Sequence, residues 1–190
     1  MILDRAARRF YQGRMTSVLH ISAALSAIMA LYLANLRSEP RLAHRWLAAV
    51  FALFAAQHLL TSLAILDLSP ALVWWRPVLA MLLPPAIFLH LRAASRPDAG
   101  LTPRDMVHLA PPAGLIVGRL FLADGPYLDA AIIASLVLYA GYALIAVQAP
   151  TPAGRRWKFM VCGWLVLMAV ADLLVMIELL GGESLRHSVP

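Results

Sequence analysis

The chain has 190 residues, of which 62% are hydrophobic and 14% charged, with a mean hydropathy of +0.76. A soluble domain is about 45–50% apolar and about 25% charged, so a water-soluble core of this size cannot hide the excess, and lipid must be the solvent. Sixteen Lys and Arg against ten Asp and Glu leave a formal charge of +6. Most of the arginines fall in short connections, where they set membrane topology rather than mark a nucleic-acid surface, so no direct nucleic-acid binding by this chain is expected.

Residues 1–14 interleave Arg5, Arg8, Arg9 and Arg14 with Ile2, Leu3, Phe10 and Tyr11. This pattern predicts a short amphipathic helix on the membrane surface, with no signal-peptide core. A six-helix transmembrane domain is expected over 15–182 and a polar tail over 183–190. Six apolar runs, near 15–36, 46–66, 72–91, 104–122, 128–147 and 158–180, are each long enough to cross a hydrocarbon layer of about 30 Å. In lipid every backbone polar group must be paired within its own segment, so all six are expected as helices and the fold class is all-α. Thr102, Pro103 and Asp105 form a helix-start signal before the fourth run: an N-cap, a first-turn proline and a capping-box acid. Three connections hold nine Lys and Arg, and the other side holds six, counting the N-terminus. That excess predicts basic loops in the cytoplasm and both termini outside.

Polar groups inside a bilayer are expensive and turn toward the protein interior. Here they are His20, Gln57, His58, Arg119, Asp172 and Glu178. At 1.5 Å per residue, His58 and Asp172 lie about 12 Å from the outer ends of their helices. His20, Arg119 and Glu178 lie within about five residues of that same side. The coincidence of depth predicts an outward-facing ligand pocket, with Ser135, Tyr139 and Trp164 as walls. The competing expectation is that Arg119 and Glu178 reach the outer headgroups while His58 and Asp172 form a private buried pair. A proton or ion path is a third.

His90 and His108 sit beside the basic loop, where backbone or headgroup partners are expected. No three or four side chains have the spacing of a zinc site, no histidine pair is matched for haem, and Cys162 stands alone, so no cofactor or metal is expected. Pro84-Pro85 and Pro111-Pro112 each remove backbone donors. They fall at similar depth in the third and fourth runs, which makes them either a paired hinge or a fixed bend. Ala110, Gly114 and Gly118, and separately Ser22, Ser26 and Ala30, form small-residue strips. Such strips pack helices within one chain or join a homodimer.

The segment RPVLAMLLPPAIFLHLR (76–92), followed by MVHLAPP (106–112) and by AVADLLVMIELLGG (169–182), resembles the membrane-embedded N-terminal region of certain bacterial AraC-type transcriptional regulators. The similarity covers roughly residues 45–182. It implies a sensory domain in the bacterial inner membrane that relays a signal to a cytoplasmic helix-turn-helix effector. Regulators of that kind continue into a seventh helix and two helix-turn-helix units, which this sequence lacks. The expectation is therefore a sensory domain that receives a small apolar or amphipathic ligand and is not itself an enzyme. The alternative is a small transporter or membrane-embedded enzyme with a His58–Asp172 proton relay.

Overall fold

A computed structural model describes residues 2–37, 40–96, 100, 102–121, 126–149 and 151–187; within them, side chains are described for residues 13–37, 40–69, 71–96, 100, 102–121, 127–149, 151–170, 173 and 174. Every regular element in them is helical. The order is α1 (Ile2–Asn35), α2 (Arg41–Ile65), α3 (Pro70–Val73), α4 (Arg76–Ser95), a 3-10 helix (Pro103–Leu109), α5 (Ala110–Phe121), α6 (Pro126–Ala146) and α7 (Pro152–His187).

Four stretches have the length and composition to cross a membrane: Gly13–Asn35, Arg41–Ile65, Ala71–Ser95 and Tyr127–Ala146. Their surfaces agree with that solvent. Val18, Ile21, Leu25, Ile28 and Leu31 project outward from α1, and Leu138 and Ile145 from α6. A water-exposed protein does not present such continuous apolar bands. By length and composition this is a multi-pass membrane protein.

Two expected elements differ in outline. The amphipathic segment 1–14 does not stand apart from the first span, because α1 runs without a break from Ile2 through Asn35. The run 104–122 divides into the 3-10 helix and a 12-residue α5. The α-helical part covers only about 18 Å. Pro111 and Pro112 explain the division. They occupy the first turn of α5, where a missing N–H costs no intrahelical bond.

The centre of the bundle is α4. From Leu83 to Leu91 every side chain is buried. A helix that is apolar all round has no solvent face to choose and settles in the middle. It packs against α2, α5, α6 and α7, while α1 packs on α2 and α7 on α6. The continuous core joins Val50, Met81, Ile87, Phe88, Leu91, Leu115, Leu136, Ala143, Cys162 and Leu165. Pro84 and Pro85 lie inside α4, which stays helical through them. Their missing N–H groups leave the carbonyls of Ala80 and Met81 without the usual i+4 donors.

The ends of the helices are closed by local chemistry. The C-terminus of α2 has Asp67 in the left-handed region (φ 54°). Asp67 N–H donates to the Ala64 carbonyl (3.2 Å) and Leu68 N–H to the Leu63 carbonyl (2.8 Å). This is the paired bond pattern of a Schellman turn. Thr151 caps α7, its Oγ1 accepting from Gly154 N–H at 3.0 Å. The Lys158 ammonium donates to the carbonyls of Leu144 and Val147 at the end of α6 (3.2 and 2.9 Å). A cation there satisfies orphan carbonyls and opposes the negative end of the helix dipole.

Candidate functional site

Among the described residues, the side chains that share the expected depth do not share one pocket. His20 Nε2 and Ser62 Oγ lie 2.8 Å apart and join α1 to α2. Arg119 donates from Nη1 to the Trp74 carbonyl, and its guanidinium stands 4.6 Å from the Trp74 ring centroid. That contact seals α5 against the turn before α4 instead of placing a cation beside His58. Ser135 and Tyr139 face a different groove, lined also by Gly114, Gly118 and Ala131. Trp164 alone of the three expected walls reaches His58. The side chains of Asp172 and Glu178 lie outside the described residues. Gly114 and Gly118 have open space where a Cβ would stand, so among the described residues neither makes a close helix contact.

What surrounds His58 is an elongated cavity of ≈ 400 Å³ between α2, α4 and α7. On α2 its lining runs from Leu47 through Phe51 and Phe54 to His58. That is eleven residues, or about 16 Å of helix. Ile87 and His90 contribute from α4, and Trp157, Val161 and Trp164 from α7. At one end Phe54 packs between His58 (ring centroids 6.2 Å apart, near-parallel) and Trp164 (5.2 Å). Aromatic pairs at such separations hold their rings in defined orientations.

The two histidines of the cavity differ in one respect that decides their roles. His90, only 6% exposed, is fully engaged. Its Nδ1–H donates to the Ala43 carbonyl at 3.0 Å. A carbonyl accepts only, so Nδ1 carries the proton and Nε2 is the acceptor. The indole N–H of Trp157 meets Nε2 at 3.4 Å. The two partners therefore select one neutral tautomer, and the contact pins α2, α4 and α7 together. Among the described residues, His58 Nδ1 is buried without a hydrogen-bond partner, as is Oε1 of its neighbour Gln57. A buried polar atom left unpaired costs about 1–3 kcal/mol. Drug-sized ligand sites have this character: a few hundred Å³, apolar and aromatic walls, and a small number of convergent polar groups.

A second polar centre closes the opposite side of α4. Arg92 holds both oxygens of Asp105, Nη1 on Oδ1 and Nη2 on Oδ2 (2.7 Å for the latter). Thr102 N–H donates to Asp105 Oδ2 at 2.7 Å, so the expected cap forms, but on a 3-10 helix. Asp105 lies on that helix, outside the four membrane-length stretches. The Arg92 guanidinium, with help from the Thr102 N–H and against the opposing push of burial, lowers its carboxyl from the ordinary 3.8 to about 2. His108 Nδ1 lies 3.0 Å from the Tyr139 hydroxyl and ties the 3-10 helix to α6. Sequence spacing carries no signal for the Arg92–Asp105 fork or the His90–Trp157 contact, because each joins separate helices.

These arrangements define a polytopic all-α membrane protein with an aromatic cavity between α2, α4 and α7. No family model, curated protein or solved structure matches the chain.

Proposed function

We propose that this chain is a membrane-embedded ligand-sensing domain whose ligand, a small apolar or amphipathic molecule with one hydrogen-bonding group, enters the α2–α4–α7 cavity. The observation that carries the reading is His58, which lines an otherwise aromatic and aliphatic cavity and whose Nδ1 has no partner among the described residues. A ligand hydroxyl or carbonyl there gives that atom a partner, while ring stacking on Phe54 and Trp164 supplies the apolar part of the affinity. His90 and Trp157 cross the far end of the same cavity, so an occupant bears on the contact that fixes α4 against α7. Sensing then follows if occupancy favours one of two helix arrangements by its differential affinity. The resemblance to AraC-type regulators supplies the destination of the signal, a helix-turn-helix effector on the cytoplasmic side of a bacterial inner membrane. On this reading the chain is not an enzyme.

The test is a titration of the chain in lipid nanodiscs with 1-naphthol, an apolar bicycle with one hydroxyl, followed through tryptophan fluorescence. Saturable binding is expected in the wild type, tenfold or more weaker in His58→Phe, and lost in Val161→Trp, which fills the cavity. A non-saturating signal that is the same in all three proteins overturns the reading.

A further inference from the structure

A larger cavity, ≈ 710 Å³, lies between the C-terminal end of α4, the 3-10 helix and the end of α6. Among the described residues three arginines line it, Arg92, Arg96 and Arg104, against one carboxylate, Asp105. Arg92 is committed to that carboxylate. Arg96 and Arg104 are exposed and have no ion-pair partner among the described residues. Ser95, Thr102, Tyr142 and Gln148 add neutral polar groups. On the other face of the 3-10 helix runs an apolar groove of ≈ 470 Å³. It extends along α2 from Trp46 to Leu53 and along α4 from Leu82 to Leu89, about 10 Å in each case. Thr102, Asp105 and His108 line both spaces. The polar cavity and the apolar groove therefore meet at one short helix.

We propose that the two spaces form a single site for an anionic phospholipid, with its phosphate at Arg96 and Arg104 and one acyl chain in the groove along α2 and α4. The polar cavity stands at the end of the membrane-length stretch Ala71–Ser95, which is headgroup depth. The groove leads from there along the helices toward the bilayer interior. A free alkyl phosphate shares this chemistry, but the depth of the two parts matches a lipid already standing in the membrane. Basic pockets between helices at this level hold anionic headgroups. The site is separate from the His58 cavity and does not rest on its assignment.

The experiment is native mass spectrometry of the full chain in a non-ionic detergent, with phosphatidylglycerol, phosphatidylcholine and inorganic phosphate as three separate probes. Phosphatidylglycerol is expected to bind at least tenfold tighter than phosphatidylcholine, and inorganic phosphate not to displace it at equal concentration. The double variant Arg96→Gln/Arg104→Gln is expected to bring phosphatidylglycerol down to the phosphatidylcholine level. Ala52→Phe, which intrudes on the groove, is expected to weaken both lipids. Circular dichroism that matches the wild type shows that each variant has folded. Equal binding of the two lipids by the wild type, or a preference that survives the double arginine variant, overturns the proposal. Displacement of phosphatidylglycerol by inorganic phosphate overturns it as well, since the groove would then contribute nothing.

Discussion

Three polar side chains, Asp105, His90 and His58, define what single residues do in this protein, and each has a distinct energetic role. Asp105 is paired, capped and only 7% exposed. Removing its charge leaves the Arg92 guanidinium half-buried without its fork, and hydrogen bonds to charged groups are worth about 1.5–3 kcal/mol. Asp105→Asn is therefore expected to lower the melting temperature in detergent at pH 7. The sign of the pH effect follows from the depressed carboxyl. Its stabilisation is complete above the ordinary value of 3.8 and is lost as pH falls through about 2. Between about pH 4 and 2 the wild type should lose stability that Asp105→Asn never had, so their melting temperatures should converge; a constant gap across that range contradicts the assignment. His90 is a structural post, and His90→Phe is expected to destabilise, since it removes the hydrogen bonds to the Ala43 carbonyl and from the Trp157 indole that join three helices. His58 is the opposite case. Because its Nδ1 has no partner to lose among the described residues, His58→Phe is expected to leave the stability within about 1 kcal/mol of the wild type, or to raise it. A loss of several kcal/mol in His58→Phe would show a partner within the protein and remove the reason for assigning it to a ligand.

At the scale of elements, the turn after α2 and the proline pair of α4 carry opposite kinds of constraint. Asp67 occupies a left-handed position that glycine fills at less cost. Asp67→Gly is expected to stabilise the chain by about 0.5–1 kcal/mol, read as a higher melting temperature. Pro84 and Pro85 stay within a continuous helix whose side chains are buried from Leu83 to Leu91. How much of this was legible beforehand differs by element. The all-helical class follows from composition, because a bilayer admits no unpaired backbone. The membrane-length stretches Arg41–Ile65 and Tyr127–Ala146 and most of Ala71–Ser95 follow from apolar run length. The division of 104–122 was half legible. Thr102, Pro103 and Asp105 announce the start, and the proline pair six residues further on marks where α-geometry takes over, but hydropathy smooths both into one run. The continuity of α1 was not legible, since the Arg-rich start and the apolar run share a helical period across residue 14.

At the scale of the whole molecule, depth counted along the sequence says nothing of position around the bundle axis. His20, Arg119 and His58, expected at one level, point into three different contacts, to Ser62, to Trp74 and to the aromatic cavity. Depth is set by run length alone, whereas azimuth is set by which helices pack together, and the hub role of α4 is a tertiary fact. The hub also gives the sensing account its mechanical content. The cavity beside His58 and the basic end of α4 lie on the same helix, and the His90–Trp157 contact stands between them. The most direct measurement is the distance between spin labels at exposed positions 94 and 155, at the ends of α4 and α7, in a Cys162→Ser background in nanodiscs. With saturating 1-naphthol the distance distribution should shift in the protein with an open cavity and stay fixed in its Val161→Trp counterpart. An unchanged distribution on saturation would contradict the account, because a ligand that moves neither helix carries no signal.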